Sequence, residues 1–217
     1  MPAIPVYLEV GSKRVFASAL DWPGWTRAGK NEMAALEALA AYASRYAAVP
    51  KAAHIAFSDA MPTFDVVERV KGNATTDFGA PGIQASGDIK PLTAAEAERI
   101  CALLNASWKV FDAVAAKAPL ELRKGPRGGG RDRDKIADHI VDAESAYATK
   151  LGLKLKTPSR DDTGAVKAWR KAILDGIQES AGKSQTEEKR WPPRYVARRT
   201  AWHLLDHAWE IEDRSAI

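Results

Sequence analysis

The sequence is poor in the features that mark secreted, disulfide-bonded and membrane proteins. Its 217 residues include one cysteine, Cys101, so no disulfide can form within a single chain. It contains no run of about 18 or more apolar residues, which excludes a membrane-spanning helix. The amino terminus, MPAIPVYLEV, lacks the basic segment and long apolar stretch of a secretory signal peptide. We therefore expect a cytoplasmic protein without a membrane partner.

A strong excess of one charge is also missing. The formal net charge is +4, and 46% of the residues are hydrophobic, as in an ordinary globular protein. Residues 1–90 carry nine basic and nine acidic side chains, and residues 91–217 carry 23 and 19. A solvated surface of mixed sign produces such a balance, so a nucleic-acid partner is not expected. Three of the four histidines lie in the second half of the chain.

Residues 1–80 have the pattern of a small α/β domain. Short runs rich in β-branched and aromatic residues predict strands at 6–10, 14–20 and 64–70, and 25–28 is short enough for an edge strand. Asn31 offers a helix cap, and apolar residues recur at helical spacing after it. From residue 77 the composition shifts to Gly, Pro, Ser and Asp, and we place a linker at 81–91.

Residues 92–217 predict an antiparallel bundle of four helices. Thr93 and Glu96 form a capping box, in which each side chain satisfies a backbone N–H of the first helical turn. Four amphipathic segments joined by polar connections follow, at about 93–118, 132–151, 161–180 and 192–214. The predicted fold class is therefore α+β, with a small β-β-β-α domain followed by a four-helix bundle.

Three histidines of the predicted bundle have the spacing of a metal site. His203 and His207 lie one turn apart on the fourth helix and point the same way. His139 lies on the inward stripe of the second helix, which also contains Tyr147. Three converging imidazoles suit zinc, nickel or another borderline divalent metal, and they leave positions open for water or substrate. Without a metal, each histidine would be an ordinary core or surface residue.

Other polar residues of the chain are not expected to bind the metal. Asp142 and Glu144 fall off the predicted inward stripe, so we do not expect them to be ligands. His54 has no partner spacing and is interpreted as structural or exposed. Arg199 lies one turn before His203, and together with Tyr147 it is a candidate for substrate binding. The alternative for Arg199 is a solvated helix face.

The histidine segments resemble those of a known superfamily. Segment 137–144 (ADHIVDAE) on the second helix and segment 202–210 (WHLLDHAWE) on the fourth are similar to the DinB-like four-helix bundles with a three-histidine metal site. The resemblance covers about 125 residues. It implies a divalent metal held by His139, His203 and His207. Members of this superfamily include thiol S-transferases that use bacillithiol, mycothiol or glutathione, and the mycothiol-dependent maleylpyruvate isomerase.

A looser resemblance concerns the first half of the chain. Segment 15–25 (VFASALDWPGW), followed by 29–32 (GKNE) and an Ala/Leu-rich helix, looks like the RNase-H-like part of HicB antitoxins. The match spans about 45 residues. It implies a module that binds a protein partner or forms a homodimer. No DNA-binding segment follows it, so a repressor is not expected.

Two classes of function follow from these features. The first is a metal-dependent enzyme, most simply a thiol S-transferase or isomerase, whose partners are a low-molecular-weight thiol and an electrophile. The second is a non-enzymatic interaction or structural protein, in which the HicB-like half binds a partner and the bundle acts as scaffold. Metal content discriminates between them, because only the enzyme requires the ion.

Overall fold

A single mixed sheet forms the first half of the protein. The computed structural model describes residues 3–125, 129–184 and 189–215. The sheet order is β3-β2-β1-β4, in which β1 pairs antiparallel with β2 and parallel with β4. The three short strands and the returning strand lie where the sequence predicts them. Their bounds are β1 Ile4–Val10, β2 Val15–Ala19, β3 Thr26–Gly29 and β4 Phe64–Lys71.

Short helices connect the third strand to the fourth. A parallel return to the sheet requires a long crossover, and the three helices α1 to α3 supply most of it. Asn31 caps α1, as predicted, because its side chain accepts a hydrogen bond from the N–H of Ala34. The helices are α1 Glu32–Ala41, α2 Ala43–Tyr46 and α3 Ala48–Ala52, and α4 Ala74–Phe78 follows β4.

Four long helices form the second half. They are α5 Ala94–Lys117, α6 Arg133–Leu151, α7 Thr163–Glu179 and α8 Pro193–Ser215, within two or three residues of the predicted bounds. The predicted capping box begins α5: Thr93 accepts from the N–H of Glu96, and Glu96 accepts from the N–H of Thr93. Side chains of all four helices share one hydrophobic cluster. The α+β class is confirmed.

The sheet and the long helices share a second hydrophobic cluster. It joins Val6 and Leu8 of β1 with Leu103 of α5 and with Leu205 and Trp209 of α8, all of which are buried. Burying large apolar side chains from both halves in one cluster opposes their separation. The predicted division at residue 80 stays a prediction, but a cut there would expose this cluster.

Gly24 allows the turn after β2 to approach α8 closely. Its φ of +93° lies in the left-handed region that favours glycine. A Cβ atom at this position would lie 2.5 Å from Leu205 Cδ1 and 3.1 Å from the backbone of Ala201. The absence of a side chain therefore lets the Trp22–Trp25 turn pack directly against the helix that carries two of the histidines.

The segment predicted as a linker is attached to the sheet at several points. Glu9 of β1 is fully buried and accepts hydrogen bonds from the N–H groups of Gly82 and Ile83. Asp88, in a short 3₁₀ turn at Ser86–Ile89, forms a buried ion pair with Arg198 of α8. The segment therefore connects β1 to α8 through specific polar contacts.

No helix within the described ranges combines the length and the apolar character needed to cross a bilayer.

Candidate metal centre

Three histidines from two helices meet at the α6–α8 interface. His139 lies on α6, and His203 and His207 lie one turn apart on α8. The ring centroid of His139 lies 4.9 Å from that of His203 and 5.3 Å from that of His207. The centroids of the two α8 rings, His203 and His207, are 4.9 Å apart. One nitrogen from each ring lies within 4.8 Å of the others, so the three residues can hold a metal ion. This is the set that the spacing predicts.

Burial keeps the imidazoles of His203 and His139 neutral, which is the form that binds a metal. His203 is only 8% exposed, and its burial, followed by the charges of His207 and Arg199, lowers its pKa to about 2. Burial also lowers the pKa of His139, and the positive charge of Arg131 acts in the same direction. Neither ring is protonated at neutral pH, so a cation does not have to displace protons from them.

Glu210 orients the third histidine. Nδ1 of His207 lies 2.7 Å from a carboxylate oxygen of Glu210, whose other oxygen lies 2.6 Å from Arg214. The hydrogen bond with His207 and the pair with Arg214 lower the pKa of Glu210, so its carboxylate accepts and the Nδ1–H donates. This leaves Nε2 of His207 as the free ligand atom. A carboxylate behind an imidazole is the usual arrangement at metal-binding histidines.

His203 supplies an independent indication that a ligand fits here. Its Nδ1 is buried, and no hydrogen-bond partner for it lies within the described ranges. A buried polar atom without a partner is costly and requires an explanation such as an ion or a water molecule. The donor set of three imidazoles matches zinc, nickel and similar cations, and it leaves coordination positions for a further ligand.

Both predicted substrate-binding residues lie beside the histidines. The Tyr147 ring is 6.0 Å from the His203 ring. The Arg199 guanidinium lies 5.5 Å from the Tyr147 ring and 4.5 Å from the Trp202 ring. Its Nη1 is buried, and the described residues provide no hydrogen-bond partner for it. A guanidinium with an unpaired nitrogen next to the histidine cluster can bind an anionic group.

The face of α6 that is buried in the structure is rotated about the helix axis from the face that the sequence predicts to be buried. The buried residues of α6 include Ile140, Glu144 and Ala148, whereas Ala146 is exposed and His139 and Tyr147 are half-buried at the edge facing α8. The interpretation of Glu144 as off the stripe was therefore wrong, because this side chain is 1% exposed. The metal-ligand set is unaffected, since Glu144 is not part of the histidine cluster.

Glu144 is an acid buried in an apolar layer. One of its carboxyl oxygens accepts a hydrogen bond from the indole N–H of Trp108, and the other has no partner within the described ranges. Burial raises the pKa of Glu144 to about 7, although the nearby Arg170 and the Trp108 hydrogen bond act in the opposite direction. The carboxyl group is thus held in its neutral form below neutral pH.

We expect the Glu144→Gln variant to be more stable than the wild type in alkaline solution. Because the pKa is raised in the folded state, the contribution of Glu144 to stability is complete below pH 4.5 and is lost as the pH rises through 7. The difference amounts to on the order of 3 kcal/mol. Urea unfolding at pH 4.5 and pH 8 measures it. Asp142→Asn, an exposed change on the same helix, serves as control, and equal pH profiles for wild type and Glu144→Gln would contradict the assignment.

Two contributions to the site escaped the sequence reasoning. Glu210 ends the segment 202–210 and was given no role, yet its i, i+3 spacing from His207 was a readable signal for a side-chain pair. The ring centroid of Trp191 lies 5.5 Å from that of Tyr147. Helical spacing could not predict this contact, because Trp191 precedes α8.

Comparisons of the chain with protein-family models, with curated proteins and with solved structures returned no significant match.

Proposed function

We propose that this protein is a divalent-metal-dependent enzyme that transfers a low-molecular-weight thiol to an electrophile. The observation that carries the proposal is the cluster of three imidazoles with ligand atoms within 4.8 Å of one another, next to the Nη1 of Arg199, for which the described residues provide no hydrogen-bond partner. The resemblance of the histidine segments to DinB-like proteins favours the same chemistry. Zinc or nickel fits the all-nitrogen donor set best.

The ion and the protein have different tasks in this reaction. A bound divalent cation lowers the pKa of a coordinated thiol and so makes the nucleophile available at neutral pH. His139, His203 and His207 hold the cation, and Glu210 keeps His207 in the tautomer that binds it. In the reaction, sulfur forms a bond to the electrophile, the leaving group departs with its electron pair, and the thiol proton passes to solvent.

Arg199 and Tyr147 bind and orient the thiol cosubstrate. Peptide-like and sugar-linked thiols carry carboxylates or other polar groups, and the partner-free guanidinium nitrogen offers such a group a charge-assisted hydrogen bond. The Tyr147 ring lies between Arg199 and His203 and provides an apolar wall for the body of the cosubstrate. Fixing the thiol in this way brings its sulfur toward the histidine cluster.

The proposal is tested by a transfer assay on the zinc- and nickel-loaded protein. Glutathione, bacillithiol and mycothiol serve as thiols, and 1-chloro-2,4-dinitrobenzene serves as a general electrophile. We expect turnover with at least one thiol, and none after the metal has been removed with a chelator. A metal-loaded protein that transfers none of these thiols would favour the alternative of a non-enzymatic scaffold.

Arg199 provides the variant that separates cosubstrate binding from chemistry. Arg199→Gln should raise the KM for a carboxylate-bearing thiol about tenfold and leave kcat nearly unchanged, because the interaction is made equally in the ground state and the transition state. Arg199→Lys keeps the charge and should recover part of the affinity. A fall in kcat at constant KM would contradict a cosubstrate-binding role.

A further inference from the structure

A large cleft lies on the side of α6 that is remote from the histidines. It has a volume of about 1140 Å³ and lies between α5, α6 and α7. Ala137, Ile140 and Val141 of α6 line it, whereas His139 contacts His203 and His207 on α8. The cleft and the metal centre therefore occupy opposite faces of one helix. Its volume is that of a small-molecule binding site.

The floor of the cleft is apolar. Trp108, Phe111 and Ile140 line it but are almost completely buried, so the apolar surface that a ligand can reach belongs to the partly buried Ala115, Val166 and Leu174. Aliphatic walls of this kind bind the hydrocarbon or ring portion of a ligand, because contact removes apolar surface from water. The floor alone would accept any apolar molecule of suitable size.

The rim selects the charge of the ligand. Of the described residues that line the cleft, two are acidic and six are basic. Four of the basic residues are already paired with carboxylates: Arg170 with Asp112, Arg133 with Asp134, Arg160 with Asp138 and Lys171 with Asp175. Lys109 and Lys167 stand at the rim on α5 and α7, exposed and without a carboxylate partner in the described ranges. The six basic residues are Lys109, Arg133, Arg160, Lys167, Arg170 and Lys171.

Arg170 carries the cationic character into the cleft. Its side chain is only 14% exposed, and its guanidinium lies 5.4 Å from the ring of Trp108 on the floor. Two of its nitrogens bind Asp112, but Nε is buried and has no partner within the described part of the chain. Arg170 therefore places a nearly buried cation, paired with Asp112, beside Trp108.

We propose that this cleft binds an amphipathic anion, a ligand with an apolar body and one carboxylate or phosphate head group. The body packs on Ala115, Val166 and Leu174, and the head group binds Lys109 or Lys167 at the rim. The site is independent of the metal centre, since no lining residue belongs to the histidine cluster. The same chemistry describes a fatty acid and an alkyl phosphate.

Isothermal titration calorimetry of the full chain with matched eight-carbon probes tests the proposal. Octanoate and octyl phosphate carry the two head groups, and octanol has the same body without charge. We expect both anions to bind at least about tenfold more tightly than octanol. The stronger of the two anions identifies the head group as carboxylate or phosphate.

Two variants locate the binding at the cleft. The double variant Lys109→Glu/Lys167→Glu should weaken binding of both anions at least about tenfold, because it reverses the charge at the rim. Lys154→Glu/Lys156→Glu is the matched control, since both lysines are exposed and lie outside the cleft. Ala116→Trp introduces a large ring at an exposed lining position and should block entry.

The outcomes separate cleanly. Tight anion binding that both cleft variants weaken and the control leaves unchanged supports the proposal. Equal affinity for octanol and octanoate overturns it, as does an absence of anion binding at millimolar concentration. Anion binding that the Lys109→Glu/Lys167→Glu variant leaves unchanged overturns it as well. His203→Ala should bind the anions like the wild type, because His203 lies on α8 and contacts the face of α6 opposite the cleft.

Discussion

Replacing His203 with alanine is expected to abolish binding of zinc or nickel. His203 is the most buried of the three histidines, and its ring lies 4.9 Å from each of the other two. Its removal leaves two imidazoles at the edge of the α6–α8 interface, which is too few for a closed coordination set. The loss of metal affinity should exceed the ~10–100-fold loss that follows removal of a group that only orients a ligand. Metal content after dialysis, together with a competition titration, measures it.

A graded series makes this prediction specific. Glu210→Ala removes the positioning carboxylate of His207 and should weaken the affinity about 10–100-fold without changing the stoichiometry. His54→Asn is the control, because His54 is exposed, lies outside the cluster and has a φ of 55°, which asparagine tolerates. If wild type and His203→Ala retain equal amounts of metal, the three histidines do not form the site.

The Asp88→Asn substitution is expected to cause the largest loss of stability among the variants considered. Asp88 and Arg198 are 2% and 4% exposed and form an ion pair between the 3₁₀ turn and α8. Asparagine keeps the shape and the hydrogen bond from the N–H of Ala85, but it leaves the Arg198 cation buried without its counter-charge. Breaking a buried pair in this way costs about 3–5 kcal/mol. Urea unfolding at pH 7.5 measures the difference.

Two further variants distinguish charge from packing at this pair. Glu32→Gln breaks the exposed pair with Arg69 and should cost at most about 1 kcal/mol. The double variant Asp88→Leu/Arg198→Met removes both charges and should recover most of the stability, because an apolar pair needs no desolvation of ions. A loss of less than about 1 kcal/mol in Asp88→Asn would show that solvent reaches Arg198.

Periodicity was sufficient to locate the elements. The four long helices begin and end within a few residues of the predicted bounds, because their apolar stripes and caps, such as Thr93 with Glu96, are local signals. The strands at β1, β2 and β4 were equally readable from runs of β-branched residues. The parallel pairing of β1 with β4 could not be predicted from the sequence, because it depends on a contact between residues some 60 positions apart.

The burial of Glu144 shows where helical patterns mislead. A stripe drawn through His139 and Tyr147 assumes that the histidine face is the centre of the buried face. In the structure α6 packs against α8 on one side and toward α5 and α7 on the other, so two faces compete for the core. On α6, His139 lies at the edge of the buried surface and Glu144 lies at its centre.

The sequence by itself determined the strands, the helix after Asn31, the four long helices, the α+β class and the set of three histidines, because helix caps, periodicity and the i, i+4 spacing of His203 and His207 are properties of neighbouring residues. Tertiary structure alone decided how His139 meets them, since that contact joins residues 64 positions apart on different helices. The shared cluster of β1, α5 and α8, and the cleft between α5, α6 and α7, arise only when the helices pack, because burial is a property of surfaces brought together.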